Sequence, residues 1–245
     1  MSEKVKLSVY LTESGQFPTR SQATNYIKAG KVKVNGRIIT KGGYEVSDSD
    51  NIEVEKEELS YVSRGGHKLE AALKAFRISL ENLTVLDIGA STGGFTDCCL
   101  QFGAKKVYAY DVGHDQLAEK LLNDHRVIAK EGVNARYLRK TDFPEQIDFI
   151  CMDVSFISCS KIFEAISDVL DVNKEAVVLF KPQFEVGNAY LNKNGIVNNQ
   201  DIIAQRLKET EEAAREYGLK LIEYMLSPIR GQDGNQEYLL HLIRE

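Results

Sequence analysis

The 245-residue chain predicts an α/β protein with a small α+β module at its front, and three observations carry that expectation. Past Leu83, apolar runs of strand length alternate with helix-like stretches, the pattern of parallel βαβ units with helices on both faces of a sheet. Ahead of residue 56 the period differs, and one short amphipathic helix gives way to alternation around an Asn-Gly pair. Charge divides the chain in the same place. Eight basic residues face Glu3 and Glu13 between Met1 and Tyr44, whereas seven acids face Lys56 from Glu45 to Glu58.

The totals narrow the function classes. A 43% hydrophobic fraction with four Pro describes a packed globular chain, neither disordered nor repetitive. Apolar runs reach only about five residues against the roughly 18 that a spanning helix needs, and the opening MSEKVKLSVYLTESG is too polar for a secretory signal. The chain therefore reads as cytoplasmic, with no membrane role expected and no obligate protein partner evident. Cys98, Cys99, Cys151 and Cys159 contain no CxxC pair and read as reduced core thiols, so no metal site is expected. A net charge of -5 argues against indiscriminate binding of nucleic acid, which makes the placement of the basic residues matter more than their number.

In the front module, Thr19 reads as a helix N-cap, Ala23 and Ile27 as the apolar face, and Gly30 as the stop. KVKVNGRII then alternates as a hairpin. Arg20 opens the helix, Lys28 and Lys31 lie at its end, and Lys33 and Arg37 flank the hairpin, so one edge can offer several cations to phosphates. On charge alone a solvated lysine surface explains the same residues. The ordered segment TRSQATNYIKAGKVKVNGRIITKGG resembles the S4 RNA-binding domain over about residues 6 to 55, which implies RNA contact through this set. Arg64, in SRGGHKLE, is assigned to it as well. The expected division is an S4-like domain at 1–58, a linker at 59–64 and the larger domain at 65–245.

The larger domain opens with TVLDIG, followed by KVYAYDV, RVIAK, IDFICMDV and AVVLFK as parallel strands, each trailed by ten to fifteen helix-like residues. KLIEYMLSPI and QEYLLHLIR supply a terminal pair with the antiparallel edge. Ligands in such sheets bind beyond the carboxyl ends of the strands. There, VLDIGASTGGFT places Asp87, Gly89, Ser91, Gly93, Gly94 and Phe95 on a loop whose glycines let backbone approach a ligand. The spacing is G-x-x-x-G-G, unlike the G-x-G-x-x-G that seats a pyrophosphate, and is closer to an S-adenosylmethionine loop. Asp111 ends the second strand, where an acid can accept both ribose hydroxyls. Asn134, after the third strand, is placed to meet an adenine edge or to serve as a plain loop residue. Asp153 follows FICM at the carboxyl edge, a costly site for a carboxylate without a partner.

Lys181 ends the next strand in AVVLFKPQFE. Taken alone it is a lysine snorkelling from a strand end. Lys68 on the helix before the first strand and Glu237 at the opening of the last can share its edge, giving with Asp153 a tetrad of two cations and two anions. SRGGHKLEAAL, VLDIGASTGGFTDC, MDVSFIS, LFKPQFE and GNQEYLL together resemble the TlyA family, in which an S4 domain is joined to a Rossmann-like, class I methyltransferase domain of FtsJ (RrmJ) type and whose members were historically called hemolysins. The resemblance implies transfer of a methyl group from S-adenosylmethionine to the 2′-hydroxyl of a cytidine in ribosomal RNA, with ribosomal RNA or a ribosomal subunit as partner. It also implies that the family's Lys-Asp-Lys-Glu tetrad falls on Lys68, Asp153, Lys181 and Glu237.

For that chemistry Lys181 is the candidate general base. A neutral lysine is favoured by desolvation and by a second cation and opposed by the carboxylates, which are assigned to positioning. Three other readings are weighed: a cytolysin, which would need a long apolar or basic amphipathic element that the chain does not display; a non-catalytic RNA-binding assembly factor; and a nicotinamide oxidoreductase, disfavoured by the glycine spacing.

Overall fold

A computed structural model describes residues 4–17, 20–47, 49–55 and 61–245, with the side chains of residues 21 and 22 excepted. The chain forms two compact units, 1–58 and 59–245.

In the first unit, β1 (Val5–Lys6) leads into α1 (Leu7–Glu13) and α2 (Arg20–Lys28), followed by β2 (Val32–Val34), β3 (Arg37–Ile38), β4 (Glu45–Val46) and β5 (Ile52–Val54). Leu7 and Leu11 of α1 meet Ala23 and Ile27 of α2, and Val32, Val34 and Val46 close the core from the strands. The expected hairpin is β2–β3. Asn35 and Gly36 both hold positive φ, at 49° and 76°, as a turn matching the right-handed twist of a hairpin requires. Asn35 also donates to Asp50 and accepts from the Asn51 amide, tying the turn to the strand β5 that follows. Thr19, expected as N-cap of α2, lies outside the described residues.

The second unit is built on a seven-stranded sheet. Its elements in order are α3 (Gly65–Phe76), β6 (Thr84–Ile88), α4 (Gly94–Gln101), β7 (Lys106–Tyr110), α5 (Glu119–Leu122), β8 (Val127–Lys130), β9 (Ile147–Met152), α6 (Phe163–Val169), β10 (Leu170–Phe180), α7 (Pro182–Glu185), α8 (Gln200–Glu216), β11 (Leu219–Leu226) and β12 (Tyr238–Arg244). The strand order is β11-β12-β10-β9-β6-β7-β8. β6 through β10 run parallel, while β12 runs antiparallel to both β10 and β11, as the terminal pair predicted.

Alternation along the strands sorts two cores. Val85, Val107, Phe149, Cys151, Val177 and Leu239 face α3 and α4, joining Leu69, Leu73, Phe76, Phe95 and Cys98. Leu86, Ile88, Ile150, Met152, Val178 and Leu240 face the other way, toward α6 and α8. All four cysteines are free and buried. At its far end α3 stacks the ring of Phe76 on His241 of β12, with centroids 5.2 Å apart.

One expectation does not hold. β7 is followed by the single-turn α5 and β8 by two short 3-10 turns at 135–137 and 140–142, not by helices of ten to fifteen residues. The reason is local: carboxylates replace helical bonding, with Asp111 accepting from the Gly113 amide, Glu131 from that of Asp115 and Asp142 from that of Arg139. Gly132 and Pro144 add punctuation.

Phe149 sits at the centre of β9 and is 1% exposed. Phe149→Ala is expected to destabilise the protein by about 3–5 kcal/mol, read as a lower urea midpoint with an unchanged slope.

Candidate active site

The strand order reverses beside β6, whose neighbours β7 and β9 diverge into separate crossovers, and a cleft at such a point is where open α/β sheets bind ligands. Here the two central strands end tightly together. The Asp153 amide donates to the Ile88 carbonyl at 2.9 Å, and a Cβ at Gly89, which holds φ +82°, would stand 2.4 Å from the Asp153 carbonyl oxygen. Gly94 is equally constrained, since a Cβ there would meet Ser63 Oγ at 2.2 Å and the Gly66 amide at 2.9 Å. The glycines of the loop thus let it fold flat between β9, α3 and the start of α4.

Asp111, just past β7, steadies the same loop. Its Oδ2 accepts from the Ser91 amide and its Oδ1 from the Gly113 amide, both at 2.7 Å, which leaves further lone pairs on each oxygen. Ser91 holds a left-handed φ of 48° and donates from Oγ to Gln116. Asn134 caps the 135–137 turn, with its Oδ1 accepting from the backbone and side chain of Arg136, the plain loop role. The Phe95 side chain is buried in the α3–α4 core rather than along the loop's open side.

Asp87 is fully buried. Oδ2 accepts from Thr96 Oγ1 at 2.6 Å, while Oδ1 has no hydrogen-bond partner among the described residues. Burial pushes its carboxyl up to about 7, against the opposing bond from Thr96 and with help from the nearby charge of Asp153.

The four ionisable residues come to one edge because β12 enters antiparallel. Phe180 pairs with Tyr238, so the residue after β10, Lys181, and the residue before β12, Glu237, stand at the same end. Pro182 occupies the first position of α7 and turns the chain away from the sheet. Two pairs result. Lys68, on α3, places Nζ 2.5 Å from Glu237 Oε2, with side chains 11% and 3% exposed. Lys181 places Nζ 2.6 Å from Asp153 Oδ1, at 11% and 23%. Ion pairs this enclosed are costly to desolvate, and charged groups held in such surroundings cluster at functional sites.

Several neighbours were not legible beforehand. Ser155 Oγ accepts from Lys181 Nζ at 2.8 Å. Phe184 lies under the same ammonium, 5.9 Å from Nζ to centroid, and its ring is 5.2 Å from that of Phe156. Phe156 is 91% exposed and holds φ +65°, a conformation costly for a bulky residue. Its signal in the sequence was a large apolar residue just past a strand end, outside any period. Asn235 is buried and joins the 195–197 segment to the turn before Glu237, its side chain accepting from the Val197 amide and donating to the Gly195 carbonyl.

The basic set is divided between the units. Arg20, Lys28, Lys33 and Arg37 are exposed on the first, and Lys31 is half-buried with its ammonium 5.9 Å from the Tyr26 ring centroid. Arg64 belongs to the second unit, exposed one helical turn ahead of Lys68.

Residues 61–244 match the model of the FtsJ-like methyltransferases. The chain belongs to that family. Residues 5–52 match the S4 domain, so the α/β class, the methyltransferase sheet and the S4 front expected from the sequence all hold. Among relatives of this FtsJ-like methyltransferase, hemolysin A of Brachyspira hyodysenteriae is 45% identical, covering 98% of this chain and 100% of that protein. The 16S/23S rRNA (cytidine-2′-O)-methyltransferase TlyA of Mycobacterium tuberculosis is 38% identical, over 99% of this chain and 91% of that one, which bears out the resemblance to the TlyA family. A solved structure from Streptococcus thermophilus, provisionally named a hemolysin, superposes with a TM-score of 0.79 at 42% identity, covering 100% of this chain and 90% of that one.

The raised carboxyl of Asp87 has a pH signature. From the ordinary value near 4 up to about 7, the folded chain keeps a proton that the unfolded chain releases, so this group's contribution to stability falls as pH rises through that window. Asp87→Asn retains an acceptor for Thr96 without the titration. Its stability relative to the parent should rise by about 1 kcal/mol per pH unit across the window, measured by denaturation at pH 5, 6 and 7.

Proposed function

We propose that this chain transfers a methyl group from S-adenosylmethionine to the 2′-hydroxyl of a cytidine in ribosomal RNA, as the relatives named TlyA do. The observation that carries the reading is the pair of enclosed lysine–carboxylate contacts, Lys68–Glu237 and Lys181–Asp153, at the carboxyl edge of a methyltransferase sheet beside a glycine loop.

The residues present fit the cofactor. Its adenosyl ribose asks for an acceptor of two hydroxyls, which Asp111 offers at the end of β7, and its amino-acid portion asks for close backbone, which the flat 89–94 loop offers. No pyrophosphate cradle is needed and the glycine spacing makes none. Gly89, Ser91, Gly93 and Gly94 would line the approach, with Asp87 and Phe95 supporting the loop from behind and Asn134 beside the adenine. When bound, S-adenosylmethionine supplies a methyl carbon already activated by a sulfonium sulfur. What remains for the protein is alignment of the hydroxyl and removal of its proton.

Lys181 takes that proton in this reading. Asp153, 2.6 Å away, steadies the ammonium that forms, and Lys68 with Glu237 holds the ribose oxygen in line. Phe156 and Phe184 give a base turned out of its strand two aromatic faces to stack on, which accounts for a strained, exposed phenylalanine at this edge. Arg20, Lys28, Lys31, Lys33, Arg37 and Arg64 contact RNA phosphates, the first five from an S4 domain at 1–58 and Arg64 from the end of a connecting segment at 59–64. No helix among the described residues is long and apolar enough to cross a membrane, so the hemolysin names of some relatives gain no support from a helical span.

Lys181→Ala is expected to bind S-adenosylmethionine with unchanged affinity by calorimetry and to lower methyl incorporation into ribosomal subunits by at least about a hundredfold; near-parent turnover would remove Lys181 from the mechanism, and a parent protein that binds subunits without incorporating label would identify a pure binding factor. Replacing Lys28, Lys33 and Arg37 together with Gln should raise KM for RNA and flatten its logarithmic dependence on salt by about 2, at roughly 0.7 per lost phosphate contact, with kcat nearly unchanged.

A further inference from the structure

Among the described residues, Lys181 interacts with three side chains of different kinds. Asp153 Oδ1 is 2.6 Å from Nζ, close enough for a charge-assisted contact but off the direction of a well-aligned hydrogen bond. The Phe184 ring interacts with the ammonium through its face and has no preferred N–H. Only Ser155 Oγ, at 2.8 Å, receives a directed hydrogen bond from Nζ among the contacts described. The bond is made between two loops that leave neighbouring strands, since Ser155 follows β9 and Lys181 follows β10.

A lysine amine turns freely about its Cε–Nζ bond unless something holds it. One directed N–H fixes that rotation and with it the other two positions on nitrogen. In the neutral amine, one of those two is the lone pair that must meet the ribose hydroxyl proton. A charged neighbour lying off the N–H direction fixes that rotation less firmly than an aligned acceptor. From this geometry we infer that Ser155 is a positioning residue for methyl transfer: its hydroxyl aims the Lys181 lone pair at the substrate hydroxyl. The inference rests on Lys181 being the base, as proposed above. Ser155 is exposed and lies outside the strands, so its replacement leaves the cores untouched.

The test uses the full chain with ribosomal subunits and labelled S-adenosylmethionine, in single-turnover reactions from pH 6 to 10, for the parent, Ser155→Ala, Ser155→Thr and Lys181→Ala. Ser155→Ala should slow the methyl-transfer step about tenfold, the weight of one orienting hydrogen bond. The loss should be the same factor at every pH in that range, while cofactor affinity and RNA KM stay within about twofold. Ser155→Thr, which keeps the hydroxyl, should recover to within about threefold of the parent. Three results overturn the inference: Ser155→Ala at the parent rate throughout, a loss whose size changes with pH, which would mean that Ser155 acts on protonation and not direction, or Ser155→Thr as slow as Ser155→Ala. Failure of the underlying reading looks different, since it appears as full activity in Lys181→Ala or no incorporation by the parent, and either takes the inference with it.

Discussion

The antiparallel entry of β12 next to β10 is the constraint on which the site depends. A wholly parallel sheet collects only strand ends at its carboxyl edge, whereas one reversed strand also brings a strand beginning there. The register Phe180 opposite Tyr238 therefore sets Lys181 and Glu237 at one end of the sheet, and α3, lying over β12, reaches the second of them with Lys68. A slip of one residue in this ladder would turn every side chain of β12 to the opposite face, exchanging Leu239 and Leu240 between two cores that are both closed. Core packing on both faces thus holds the charged edge in place.

Burial does a second kind of work. Near the carboxyl ends of the strands, Asp87 is fully buried, and Lys68, Glu237, Lys181 and Asp153 keep little of their side chains exposed. Two carboxylates find lysines. Asp87 finds a threonine and keeps one oxygen without a partner among the described residues, so desolvation raises its carboxyl where pairing would have lowered it. Neighbouring acids in one strand-end cluster thereby acquire different chemical characters from their surroundings alone.

The strands, the hairpin and the residues of the edge were legible because each rests on a short-range rule: period two for strands, Asn-Gly for the turn, a charge after an apolar run for the site. The pairing within the tetrad was not, since Lys68 and Glu237 are far apart in the chain and only the fold decides which carboxylate each lysine meets. Ser155 gave no signal, a serine in a loop being the commonest of residues. Phe156 went unread, a single large apolar residue past a strand end belonging to no period. The missing helices after β7 and β8 show the limit of reading by length, because Asp111, Glu131 and Asp142 carry backbone bonding that a helix would otherwise supply. Phe95 was drawn to the loop by proximity in sequence, but its position on α4 turns the ring into the core.

The stacking of Phe76 on His241 gives α3 a second hold on β12. From Lys68 to Phe76 the helix advances about 12 Å at 1.5 Å per residue, and from Glu237 to His241 the strand advances about 13 Å at 3.3 Å per residue. The two elements are commensurate, joined by charge at one end and by ring contact at the other. A helix fastened at both ends along a strand can neither pivot nor slide without breaking one of two unlike contacts, so α3 acts as a ruler that fixes how far Lys68 reaches over the edge of the sheet.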